Sequence, residues 1–378
     1  EVQGIGTTGT ATLVAGGAVT QSGAIEASQF SFDVVDGGIT INNAGNKIGT
    51  IAGKAQGEVH IVNSQSLIVG EVGSLSGISS KKADGNGANI TIEAHAGLTI
   101  NKTVSSKDGS GGNLMIGGGV SVNAGIEVGA GDIRLNQNGN ALDVLINSDL
   151  TLAAGSLTIS APRDIVIWKD GRITMNGAGT LKLIADSDSK SNPDTLGEAF
   201  GGVYIGGKGI GIEDGSLLVK ATALLPNRAT VKTDDDVEIP ENTAIYLHGG
   251  KLADPSDPIV DTKGHILLDG RSVPAADVII SGKMQAKEHV TVLAKRDVRQ
   301  NADITAGGTL DVEAQGGSIT MADGATGTAA GNVRYLASQN VALGGVQGAN
   351  VRIEATGGSI TDNGGTDKDV TATAAQLV

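Results

Sequence analysis

Four segments in the last third of the chain align with one another, and their spacing constrains the fold more than any other feature. They are VTVLAKRDV from Val290, TLDVEAQGGSIT around Leu310, NVRYLASQNVAL around Val333 and NVRIEATGGSIT around Val351. Each reads apolar, any, apolar, any, Ala. The inward sets are Val290, Val292, Ala294; Leu310, Val312, Ala314; Val333, Tyr335, Ala337; and Val351, Ile353, Ala355. The successive Ala positions lie 20, 23 and 18 residues apart. Alternation over three to five residues is a strand signal, because successive side chains point to opposite faces. A period near 20 is too long for hairpins meeting at tight turns. It is one turn of a solenoid.

The same pattern recurs earlier, at Ala11, Leu13, Ala15; Ile90, Ile92, Ala94; Leu150, Leu152, Ala154; and Leu217, Val219, Ala221, with Val59, Ile61 and Asn63 placing Asn where the others have Ala. The predicted fold is all-β, a right-handed parallel β-helix (β-solenoid) of about 17–19 coils of roughly 20 residues, giving a rod about 80 to 90 Å long at the spacing of paired strands. Composition agrees. Seven aromatics against 59 Gly in 378 residues suit a thin core of Val, Ile, Leu and Ala, in which most rings would be too large. Gly316, Gly317, Gly357 and Gly358 fall at the expected corners, where positive φ or tight bending is needed.

All seven Pro lie between Pro162 and Pro274, together with the Asp-rich stretches IADSDSKSNPD, KTDDDVEIPEN and LADPSDPIVDTKG. Proline cannot donate to a central ladder, so these stretches read as loops leaving the rod. The predicted organisation is a regular shaft over 1–185, a solenoid with protruding loops over 186–262, and a regular shaft over 263–378. No Cys is present, which excludes disulfides and thiolate metal sites. The net charge of −14 disfavours nucleic acid and anionic membrane surfaces, and no apolar run approaches the length of a membrane span, so no membrane insertion is expected. The chain begins at Glu1, so a targeting segment could precede it.

At these residues the chain resembles a known family. GGSIT, NVRIEATGGSIT, ANITIEAHAGLTI, LTLAAGSLTI and the opening GIGTTGTATLVAGGAVTQSGAI are similar to the repeat shaft of filamentous haemagglutinin-like bacterial exoproteins and adhesins of the two-partner secretion type. The resemblance covers most of the chain and is weakest from 186 to 262. It implies a non-enzymatic, extracellular structural or adhesive protein, secreted or held at a bacterial cell surface, with host or matrix glycans as partners. The family's secretion-domain motifs are absent, the single Asn-Pro being Asn192 and Pro193 in a polar loop. Neither EVQGIGTTG nor AAQLV reads as a solenoid cap, so the expected partners also include neighbouring solenoid repeats, or other copies of the chain stacked end to end into filaments.

A second reading comes from the fold. Parallel β-helices also carry polysaccharide lyases and hydrolases, which need converging carboxylates. Asp234, Asp235 and Asp236, or Asp186, Asp188 and Asp194, supply carboxylates, but so few aromatics cannot line a sugar cleft. Solvated loops are the plainer explanation. Calcium is the cofactor these hard oxygen ligands would suit, with Asp234, Asp235, Asp236, Asp254, Asp257 and Asp261 as candidates, although no repeat-type GGxGxD motif is present. His248 and His265 are 17 residues apart, near one coil, and so are candidates to stack and share a metal; the plainer reading is outward strand positions. Asn63 and the pairs Asn42, Asn43 and Asn136, Asn138 are candidates for amide ladders that stabilise the stack.

Overall fold

In a computed structural model of the chain, the structure describes residues 1–378 except 109–111, 136–142, 162, 169, 186–201, 222–223, 226–238, 250–256, 273–274 and 366–367. Every element among the described residues is a β-strand. Two compact units are present: residues 1–162 with 173–179, and residues 163–172 with 180–378. Each is a parallel β-helix, right-handed as parallel crossovers are. Each coil past the first few contributes three short strands, and each strand pairs in parallel with its counterpart one coil on.

In the first unit one face runs through Val59–Asn63, Ile90–Ala94, Leu114–Gly117, Ile133–Leu135 and Leu157–Ala161. A second runs from Leu67–Val69 through Leu98–Ile100 and Val120–Val122 to Val144–Ile146, and a third from Ile78–Ser80 through Val104–Ser106 and Ile126–Val128 to Asp149–Leu152. The earliest coils are built differently. Long strands Ile25–Val34 and Lys47–Ala55 each span what later becomes two faces, pairing over eight residue positions. At the other end of the second unit Gly345–Ala355 does the same, pairing with both Thr326–Ala329 and Val333–Ala337.

The Ala positions read from the sequence are in register: Ala294 faces Ala314, Ala314 faces Ala337, and Ala337 faces Ala355. Ala94 likewise faces Asn63. Two earlier matches belong elsewhere. Leu150 and Leu152 pair with Ile126 and Val128 on the third face, and Ala11, Leu13 and Ala15 pair with Phe30, Phe32 and Val34. The three faces share one apolar alternation, so the pattern marks a strand without saying which face it occupies.

The expectation that most rings would be too large for the core fails at three positions. Phe30, Phe32 and Tyr335 are fully buried. Each of two rings lies against a glycine: a Cβ on Gly53 would sit 2.4 Å from the Phe32 ring, and one on Gly327 would sit 2.0 Å from the Tyr335 hydroxyl. Tyr335 donates that hydroxyl to Gln300 Oε1 at 2.7 Å, and Gln300, also fully buried, donates its amide to the carbonyls of Ala302 and Thr326. Burial raises the Tyr335 phenol well above its ordinary value, so it stays a donor.

Candidate functional site

The most regular feature of the described surface is a set of side-chain ladders at the corners. At these corners the residue just before a strand has a backbone N–H that the side chain of its equivalent one coil earlier accepts. In the first unit Asn89 Oδ1 accepts the N–H of Asn113, Asn113 Oδ1 that of Asp132, and Asp132 Oδ1 that of Ser156, each at 2.9 Å. In the second unit Asp277 accepts from Asp297, Asp297 from Ser318, Ser318 from Asn340, and Asn340 from Ser359, at 2.8 to 3.2 Å. Another corner of the same unit runs Ser216, His265, His289, Thr309. Asn Oδ1, Asp Oδ1 and His Nδ1 stand at the same bond distance from Cβ, which is why these residue types interchange there.

These ladders account for the GGSIT motif. A Cβ on Gly317 would lie 2.1 Å from Asp297 Oδ1, and one on Gly358 would lie 2.5 Å from Asn340 Oδ1. The glycine directly before the corner Ser is therefore required by close approach of the acceptor from the preceding coil. Positive φ is not involved at Gly316, Gly317, Gly357 or Gly358.

Charged side chains pair along and across the strands. Arg334 meets Asp311 through two hydrogen bonds of 2.7 and 2.8 Å and Glu313 at 3.1 Å; Arg352 meets Glu354 at 2.6 and 3.0 Å. Hydrogen bonding to Asp311 raises the Arg334 guanidinium above its ordinary value. Asp311, Arg334 and Arg352, together with Thr309, Asn332, Asn350 and Gln376, line an open groove of about 520 Å³ along one face of the second unit. The Asn350 amide donates to Asn332 Oδ1 at 2.9 Å across it. Carboxylates already spent on guanidinium N–H groups suit polar recognition better than proton transfer. Deeper in this unit, the wholly buried Asp277 carboxylate takes two hydrogen bonds from Arg296 at 2.6 and 2.7 Å, with Arg299 at 3.5 Å.

Of the calcium candidates, Asp234, Asp235, Asp236 and Asp254 lie outside the described residues, as do Asp186, Asp188 and Asp194. Asp257 and Asp261 are exposed, Asp261 pointing outward from the strand Val260–Thr262 between Gly211 and Gln285. Among the described residues no three His, Asp or Glu side chains are grouped to hold a metal.

The candidate stack of His248 and His265 does not form. His265 stacks on His289, ring centroids 5.1 Å apart and 10° from parallel, because both directly precede a strand of the same face. His248 is buried beside Tyr204 and Tyr246, whose rings stack at 5.6 Å. Val166, Tyr204, Tyr246 and Ile279 are successive outward positions of one face, yet all are buried. Leu225 and Ile239, which lie outside the strands, are buried too.

Amide ladders exist, but Asn42 and Asn43 do not form them. Asn123 donates to Asn101 Oδ1 at 3.0 Å and Asn147 to Asn123 Oδ1 at 2.8 Å. Asn43 caps its own turn, accepting the N–H of Gly45, and Asn136 and Asn138 lie outside the described residues. Asn63 is fully buried and caps a strand start, accepting the Ile48 N–H at 2.8 Å; Asn46 does the same for Ile25. A polar acceptor placed directly before each apolar alternation was the available signal for the corner ladders.

Residues 1–53 match a family described as repeats of unknown function (DUF5649). That stretch includes the long strand Ile25–Val34 and most of Lys47–Ala55. No curated protein and no solved structure matches the chain. The chain is thus similar to a repeat family over its first coils, and its repeat architecture is carried by the strand register throughout both units.

Proposed function

We propose that the chain is a non-enzymatic structural or adhesive element, a rigid β-helical shaft or fibre segment of a filamentous haemagglutinin-like protein that is secreted or held at a bacterial cell surface. The observation that carries this reading is the coil-to-coil satisfaction of the corners by Asn, Asp, Ser and His side chains. The most regular polar chemistry of the surface is spent on holding one coil to the next. Charged groups follow the same rule, since Arg334, Arg352 and Arg296 are committed to carboxylates of their own or the adjacent coil. Such a molecule works mechanically and additively, each coil gaining from its neighbours.

The partners in this reading are neighbouring solenoid repeats or further copies stacked end to end, and glycans of a host or matrix. Electron microscopy of the purified chain over a range of concentrations, with and without calcium, tests the assembly. Fibres that lengthen with concentration support end-to-end stacking; particles of constant size support a shaft segment that joins through flanking chain. Release of reducing ends or unsaturated products from a panel of acidic polysaccharides, abolished on replacing Asp234, Asp235 and Asp236, would overturn the structural reading in favour of a carbohydrate-active enzyme.

A further inference from the structure

We propose that the His265–His289 pair is an acid-sensitive joint between consecutive coils of the second unit. At the equivalent corners elsewhere the acceptor is Asn, Asp or Ser, which still carry an acceptor oxygen in mildly acidic solution. Here it is an imidazole twice in succession.

A backbone N–H can only donate, so the nitrogen it meets must be the unprotonated one. The Thr309 N–H points at His289 Nδ1 at 2.9 Å, and the Thr309 hydroxyl lies 2.9 Å from the same atom. The His289 N–H in turn points at His265 Nδ1 at 3.4 Å, and the His265 N–H at Ser216 Oγ at 3.1 Å. Both rings are thereby held in the tautomer that carries its proton on Nε2. That tautomer also leaves no lone pair facing outward for a shared metal.

Protonation converts each Nδ1 from acceptor to donor and turns it against the N–H it served. It also places like charges in rings stacked 5.1 Å apart. Turning the His289 ring over does not relieve this, because it puts a C–H where Nδ1 had been. The ring is closely seated as well: a Cβ on Gly308 would lie 2.5 Å from Nδ1 and 2.7 Å from Cε1, so the imidazole fits only over glycine. Protonation therefore displaces the ring from the corner and frees the Thr309 N–H, loosening one coil-to-coil contact.

The charged groups on the turns and strands around the pair are Glu213 and Asp214 one coil back, Lys263 beside His265, Lys287 and Glu288 beside His289, and Asp311 one coil on. Lys263 is tied to Glu213 at 3.1 Å and Asp311 to Arg334 at 2.7 Å. Imidazole is the corner acceptor that protonation converts to a donor, a change the Asn and Ser corners do not undergo.

The test is amide hydrogen exchange on the intact chain, read as protection factors to remove the intrinsic pH dependence of exchange. Between about pH 7.5 and 5, protection of the Thr309 amide is expected to fall about tenfold, the size of one lost hydrogen bond. The Ser359 amide, held by Asn340, keeps its protection. In His289→Asn, which retains an acceptor at the same reach, the Thr309 response to pH disappears. Constant Thr309 protection in the wild-type chain, or an equal fall at Thr309 and Ser359, overturns the proposal. So does a neutral-pH nitrogen spectrum showing the His289 proton on Nδ1, a reading that needs no variant.

Discussion

Single residues in this protein are constrained by the coil before and the coil after. Gly327 is one case, since the Tyr335 hydroxyl occupies the place of its missing Cβ. Gly327→Ala is expected to destabilise the chain by about 2 kcal/mol in urea denaturation, the usual scale of overpacking a close-packed interior. Adding Tyr335→Phe should recover part of that loss by removing the clashing oxygen, although it leaves Gln300 Oε1 without its buried donor. Recovery in the double variant distinguishes a local clash from a backbone preference. Asp269 gives a pH signature. Arg271 hydrogen-bonds its carboxylate at 2.9 Å through both Nε and Nη2 and holds it below the usual carboxylate range. A depressed carboxyl contributes stability above its unfolded value of about 3.9, and that contribution is lost as pH falls through the folded value. Both side chains are partly exposed, so the amount is under about 1 kcal/mol. Denaturation midpoints are therefore expected to fall less steeply between about pH 5 and 3 in Arg271→Ala than in the wild-type chain.

At the scale of the element, a short strand of three to five residues is held by what its corners do as much as by its own ladder. Asn113 both donates its N–H to Asn89 and accepts that of Asp132. Asn113→Ala is expected to cost about 1 kcal/mol, comparable to losing a helix cap, and to lower exchange protection at the Asp132 amide while leaving Asn113's own amide bonded to Asn89. Strand positions were legible in the sequence because alternation fixes which residues face inward, and the Ala-to-Ala spacing carried the register across Ala294, Ala314, Ala337 and Ala355. Face assignment was not legible, since Leu150 and Leu152 alternate like any first-face strand but pair on the third. The corner ladders were missed for a related reason. One polar residue before an apolar run looks like ordinary loop chemistry until the coil before it is stacked underneath. The His pairing failed because spacing does not say which face a residue occupies: His248 follows the strand Thr243–Leu247, His265 precedes Ile266–Gly270 on another face, and the equivalent of His265 lies 24 residues on, at His289.

For the molecule as a whole, stability accumulates between neighbouring coils within each unit, and function in the proposed reading follows from that accumulation. The repeat in the GGSIT-type segments was legible in the sequence because glycine, corner acceptor and alternating apolar residues form one physical unit, in which Gly317 makes room for Asp297 and Ser318 bonds to it. The candidate calcium ligands gave no comparable unit, since Asp261 stands between Gly211 and Gln285 in the stack. Consecutive coils stack in one fixed parallel register. The chain contains no cysteine, so a pair can be introduced without competition. Thr99 and Ser121 face one another in adjacent coils, and Leu145 occupies the same position one coil further. Adjacent strands at about 4.8 Å fall within disulfide reach, and two coils at about 9.6 Å do not. Thr99→Cys with Ser121→Cys is expected to close a disulfide under mild oxidation while Thr99→Cys with Leu145→Cys stays reduced. Closure of the second pair, or failure of the first in a folded chain, would contradict a fixed parallel register.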